Sequence, residues 1–116
     1  MDLYEIWFNL RPGVSDLQFC RDFRAYATYL QEAGLISGFR LTRRKLGFGP
    51  AELGEFHVTL EFRDLRHLDE AFRVVGTRAG EVERLHAAVF ASVQDFRSAL
   101  YRDFPDAFRQ SEADPG

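Results

Sequence analysis

GEFHVTLEF, residues 54–62, is the stretch on which the fold turns. In an extended strand successive side chains point to opposite faces, so Phe56, Val58, Leu60 and Phe62 share one side. Glu55, His57, Thr59 and Glu61 share the other. LYEIWFNLR, residues 3–11, repeats the pattern, with Tyr4, Ile6, Phe8 and Leu10 opposite Leu3, Glu5, Trp7, Asn9 and Arg11. Two strands with one apolar and one mixed side imply a sheet covered on one face only. Function then depends on what the second face meets.

Working outward, Pro12-Gly13 ends the first strand, and Ser15 followed by Gln18 is a capping-box pattern. Behind it Phe19, Phe23, Tyr26, Ala27, Leu30 and Ala33 recur at helical spacing, which predicts a helix over 16–33 that stops at Gly34. Residues 36–46, ISGFRLTRRKL, alternate again and join the opening stretch through GFGPAELG as a long hairpin. Asp64 is placed to cap a helix carrying Leu65, Leu68, Ala71, Phe72 and Val75. The segment GTRAG interrupts it before Val82, Leu85, Val89 and Val93 resume the stripe, so two helical pieces are expected, broken between Gly76 and Gly80. DFRSALYRDF, residues 95–104, supplies a fourth strand, and a polar C-terminal tail follows over 105–116.

The order β-α-β-β-α-β closes, with right-handed crossovers, into a ferredoxin-like α+β fold over 1–104. Its four-stranded antiparallel sheet has the first and third strands central and the helices on one face. Burying Glu5, Asn9, His57 or Glu61 under the helices would cost on the order of 1–3 kcal/mol for each unsatisfied group, so the apolar sides of both central strands are the covered ones. The uncovered face then collects Leu3, Glu5, Trp7, Asn9, Arg40, Thr42, Arg44, His57, Thr59 and Glu61. The inward side of the fourth strand stays open, because Ser98, Leu100, Arg102 and Ala99, Tyr101, Asp103 are similarly mixed.

Composition narrows the function classes. With 116 residues the chain has single-domain length, and twelve Phe promise an aromatic core. A net charge of −3 lacks the basic footprint that a phosphate backbone demands, so no nucleic-acid partner is expected. The RNA-recognition motif shares this strand order, but the third-strand aromatics Phe56 and Phe62 point inward here. The single Cys20 excludes an internal disulfide and falls on the apolar stripe of the first helix, as a small hydrophobe does. Neither a leader pattern nor a membrane-length apolar run is read, so the expected location is the cytoplasm.

The polar face holds the candidate chemistry. His57 carries an imidazole, the side chain most often used to move protons, and is the candidate general base, with Glu5 or Glu61 beside it and Tyr101 as the acid if its side of the fourth strand faces the same way. A structural hydrogen bond from His57 competes with that role. Arg40 and Arg44 are candidate clamps for an anion, or rungs of an ion-pair ladder with Glu55 and Glu61. No metal site is expected: His57 and Glu61 would lie about 13 Å apart on an extended strand, too far for one ion. GFGPAELG leads into a strand rather than a helix, which disfavours a phosphate loop.

The topology, the length, the polar strand face bearing Trp7, Asn9 and His57, and the Arg-rich second strand resemble the dimeric α/β-barrel superfamily, over about residues 3–104. That group includes the antibiotic-biosynthesis-type monooxygenases, the stress-responsive barrel proteins and many domains of unknown function. The resemblance implies a homodimer with a small organic ligand held between each sheet and its own helices, or between two stacked sheets. It also implies a cofactor-independent oxygenase or cyclase acting on an aromatic or polyketide-like compound. His57 and Tyr101 would be catalytic, and Glu5, Trp7, Asn9, Arg40, Arg44, Thr59 and Glu61 would line the ligand site. Haem bound through His57 stays open by the same resemblance. The competing reading is a non-catalytic module whose polar face mates two subunits or docks a protein.

Overall fold

The computed structural model of the chain describes residues 1–106, so most of the C-terminal tail lies outside the described residues. Its elements are β1 (Asp2–Leu10), α1 (Asp16–Glu32), β2 (Gly38–Arg43), β3 (Phe56–Phe62), α2 (Leu65–Gly76), α3 (Gly80–Phe90) and β4 (Val93–Arg102). All pairings are antiparallel, in the order β2-β3-β1-β4, as a ferredoxin-like α+β fold requires. The second helix is broken where GTRAG predicts. Thr77 caps α2, and Arg78 and Gly80 both take positive φ before α3 begins.

The apolar side of each central strand faces the helices. Phe8, Phe56, Val58, Leu60 and Phe62 are buried, together with Phe19, Phe23, Ala27 and Leu30 along one stripe of α1. Phe8 meets Phe19 edge-on at 5.3 Å and stacks on Phe56 at 5.8 Å, while Phe23 meets Phe39 edge-on at 5.9 Å. Each buried Phe contributes roughly 1.5–3 kcal/mol, so this aromatic block is the main anchor of α1 on the sheet.

The caps form as the sequence implies, with one difference. Ser15 Oγ accepts from the Gln18 amide at 3.2 Å, but the Gln18 side chain donates to Asp22 at 2.9 Å instead of returning to Ser15, so only half of the box forms. Asp64 caps α2 by accepting from the His67 amide at 2.8 Å. The His67 ring is buried and joins two helices: Nδ1 accepts from the Arg63 amide at 3.1 Å, and Nε2 donates to the Gly34 carbonyl at 2.8 Å. Those partners assign the proton to Nε2 and give His67 a structural task.

The fourth strand begins two residues earlier than its alternation indicates. Asp95 takes φ 58°, and the register slips between Trp7 and Asn9 in a bulge that hides the strand's first turn of alternation. Beyond it Arg97, Ala99 and Tyr101 stand opposite Trp7, Glu5 and Leu3, which places them on the uncovered face and settles the open parity.

Gly54 opens β3 where the sheet leaves no room for a side chain. A Cβ there would stand 2.3 Å from the Phe8 carbonyl carbon and oxygen, which are backbone and cannot swing aside. Gly54→Ala is therefore expected to cost about 3 kcal/mol, near the upper end for overpacking, and to lower the melting temperature by roughly 10 °C in calorimetry. An unchanged melting temperature would contradict this packing.

Candidate functional site

Two sites of different character lie on opposite faces of the sheet. On the uncovered face Glu5 is the hub, its side chain only 13% exposed. Its Oε1 accepts from Thr59 Oγ1 at 2.8 Å and lies 3.0 Å from His57 Nε2, while Oε2 is buried without a hydrogen-bond partner among the described residues. Because a carboxylate oxygen only accepts, the contact assigns the His57 proton to Nε2. The His57 ring lies flat on Trp7, with centroids 4.9 Å apart and planes 4° apart. The register explains the grouping: Trp7 pairs with His57, and Glu5 with Thr59, so β1 and β3 carry all four side chains in adjacent rows.

The other residues singled out from the sequence do not join this group as one site. Asn9 is engaged at both ends of its amide, Oδ1 accepting from the Glu55 amide at 2.9 Å and Nδ2 donating to Asp95 at 3.1 Å. The Arg44 amide still donates to the Glu55 carbonyl at 2.7 Å, but its side chain leaves the sheet face. Its guanidinium donates to the Pro50 and Leu53 carbonyls at 2.9 and 2.7 Å and so braces the β2–β3 loop, because the chain departs from strand geometry after Arg43. The expected ladder is made instead by Arg43, which pairs with Glu55 and with Asp16.

Arg40 is exposed opposite Thr59, and Glu61 stands against Gly38, with no ion pair between them among the described residues. Tyr101 shares the face with His57 but not its neighbourhood. The two lie two strands and four residues apart in register, about 16 Å by strand geometry, so they form no acid–base pair within one chain.

The second site is a cavity of about 420 Å³ between the sheet and its own helices. Tyr4, Ile6, Val58 and Leu60 form its floor, with Tyr26 of α1, Val75 of α2 and His86 and Val89 of α3 above them. Phe72, Phe90 and Phe96 at its rim are 48%, 61% and 53% exposed, an aromatic margin open to solvent. None of the residues predicted as site residues lines this cavity.

Its polar groups are few. His86 stacks on Phe90 at 5.8 Å and tilts against Tyr26 at 5.6 Å. Its Nδ1 lies 3.9 Å from Glu83 Oε2, too long for a hydrogen bond, and that oxygen is itself buried without a hydrogen-bond partner among the described residues. Burial first, and then the Glu83 carboxylate, push the Tyr26 phenol up to about 12. Tyr26 therefore stays a neutral donor at any physiological pH. The signal for this site was present in the α3 stripe, where His86 follows Val82 by four positions and so shares its inward face.

No group of three or more candidate ligands able to hold a metal ion occurs among the described residues, and no described helix is long and apolar enough to cross a membrane.

The fold and both sites now stand beside known proteins. This is the ferredoxin-like architecture of several solved structures. One is At3g17210 from Arabidopsis thaliana, 11% identical, with 92% of this chain and 99% of that one aligned and a TM-score of 0.71. Another is SnoaB, a cofactor-independent oxygenase from Streptomyces nogalater, 10% identical over 91% and 95% of the two chains, TM-score 0.68. A third is a dimeric protein of unknown function and ferredoxin-like fold from Bacteroides fragilis, 14% identical over 88% and 95%, TM-score 0.61.

At such identities the likeness establishes the fold alone. The chain itself belongs to the family of unknown function DUF6614, which it matches over residues 1–114. No curated protein matches it in sequence.

Two expectations follow. Glu5→Ala deprives His57 and Thr59 of their acceptor and is expected to cost about 1–3 kcal/mol in urea denaturation, with a shift in Trp7 emission as the stacked imidazole loses its tether. Tyr26 gives a pH signature. Its folded pKa lies above its unfolded value, so stability is full below pH 10 and falls as pH rises from about 10 to 12, by roughly 2–3 kcal/mol. Tyr26→Phe should flatten that decline in denaturation measured across the range.

Proposed function

We propose that this protein binds a small, largely apolar organic molecule in the cavity between its sheet and its own helices, and that two chains pair through the uncovered sheet face. The observation that carries the reading is the cavity itself: about 420 Å³, within the range of small-molecule sites, walled by aliphatic and aromatic side chains and holding few polar groups. An aromatic or polyketide-like compound suits a lining of this kind.

If the bound molecule is turned over, His86 is the group able to accept a proton from a phenol or enol, and the neutral Tyr26 hydroxyl is the donor across from it. Cofactor-independent oxygenation or cyclisation is the reaction class in keeping with that pair. SnoaB, which shares the fold, is a cofactor-independent oxygenase, and the Bacteroides protein is dimeric.

Pairing through the sheet is supported by Trp7 and Leu3, half-buried in the middle of an otherwise polar face that no helix covers. On this reading His57, Glu5, Thr59 and Asn9 organise the interface. Asn9 is satisfied at both ends of its amide by Glu55 and Asp95, and Glu5 Oε1 is shared by His57 and Thr59, which favours it over the alternative of catalysis at His57, while Glu5 Oε2 keeps a free acceptor site among the described residues. It equally leaves room for a non-catalytic module that only pairs.

The two readings separate in one experiment. Titration with a panel of small phenols and naphthalenes, followed by calorimetry, is expected to find binding that Val75→Phe, which fills the cavity, weakens at least tenfold. His57→Ala should leave that binding within about twofold. No binding by any member of the panel would sink the cavity reading. Light scattering should give twice the 13.4 kDa chain mass, reduced to a single chain by Trp7→Arg.

A further inference from the structure

One residue on the cavity rim has no explanation in the fold. Arg78 lies in the linker between α2 and α3 and is, among the described residues, the only one lining the cavity with a permanent charge. Its backbone takes φ 52°, the left-handed region in which a side chain is disfavoured and Gly or Asn is the usual solution. The turn therefore gains nothing from an arginine.

Nor does the side chain contribute to the packing of charges. Arg43, Arg73, Arg84 and Arg102 each meet a carboxylate, and Arg11 and Arg44 donate to backbone carbonyls. The Arg78 guanidinium makes no ion pair and no hydrogen bond among the described residues, as is also true of Arg24, Arg40, Arg63, Arg66 and Arg97, but of these Arg78 alone lines the cavity. It is exposed to solvent where the apolar lining of the cavity meets the surface, so its charge stands at the mouth and not inside.

We infer that Arg78 is the recognition point for an anionic head group, and that the ligand class is an amphipathic organic anion, a carboxylate or phenolate attached to a ring-sized apolar body. The inference rests on the cavity reading above and adds the charge of the ligand to it. The apolar body occupies the space between Tyr4, Val75 and Val89, and the head group emerges at the rim to meet the guanidinium, whose planar fork matches two oxygens at once. The Glu83 carboxylate, 3.9 Å from His86, opposes a permanently charged head group at that part of the wall.

The test uses a matched pair of probes, naphthoate and naphthylmethanol, which share a ring system and differ in charge. In the native protein at neutral pH and low salt, naphthoate is expected to bind about tenfold more tightly, corresponding to about 1.4 kcal/mol. In Arg78→Gly the ratio should fall to near one, and the melting temperature should hold or rise, because glycine accepts the left-handed backbone that arginine resists.

Equal binding of both probes to the native protein would overturn the inference and leave the cavity reading standing. Binding of neither would remove both. A preference for naphthoate that persists in Val75→Phe would place the anion at another arginine, Arg40 or Arg97 of the sheet face, and would also overturn it.

Discussion

The structure depends on one stacking arrangement: the aromatic block in which Phe8 of β1 and Phe56 of β3 lie against Phe19 of α1. It commits one side of both central strands to the helices. Since β1 pairs with β3 on one edge and β4 on the other, its parity passes to its neighbours through the register, and every side chain in the sheet is assigned a face. Gly54 shows how tight that arrangement is, because the Phe8 backbone occupies the space a side chain would need.

From that commitment come two faces with different chemistry. On the uncovered side, polar residues find one another within the sheet: Glu5 gathers His57 and Thr59, and Asn9 ties the start of β3 to the β4 bulge. Asn9 is satisfied at both ends of its amide, whereas Glu5 keeps one buried carboxylate oxygen without a hydrogen bond among the described residues. On the covered side, the break between α2 and α3 ends one helix and starts another, and the space beneath them stays partly unfilled. That space has the opposite composition, large in apolar surface and sparse in polar groups.

The elements themselves were legible in the residues. Alternation named β1 and β3, Ser15 and Asp64 announced the starts of α1 and α2, and GTRAG marked the helix break. Other features were hidden for identifiable reasons. The αL residue Asp95 interrupts the period of two at the start of β4 and hides its first residues, and its parity stayed open because Ser98, Leu100, Arg102 and Ala99, Tyr101, Asp103 are equally mixed in polarity. Arg44 continues the alternation in the sequence, but the chain has already turned into a loop, and its guanidinium follows the loop. His57 and Tyr101 share a face, and only the pairing register shows how far apart along the sheet they stand.

The sequence by itself determined which side of the sheet is covered, since alternation is a local property and burying charge is costly wherever the strand lies. Only the tertiary structure decided where an empty volume lies. A cavity is volume left empty between elements distant in sequence, and an apolar stripe has the same spelling whether the space beneath it is filled or hollow. His86 and Arg78 belong to that space for the same reason: their meaning comes from what stands across from them, and no run of neighbouring residues records that.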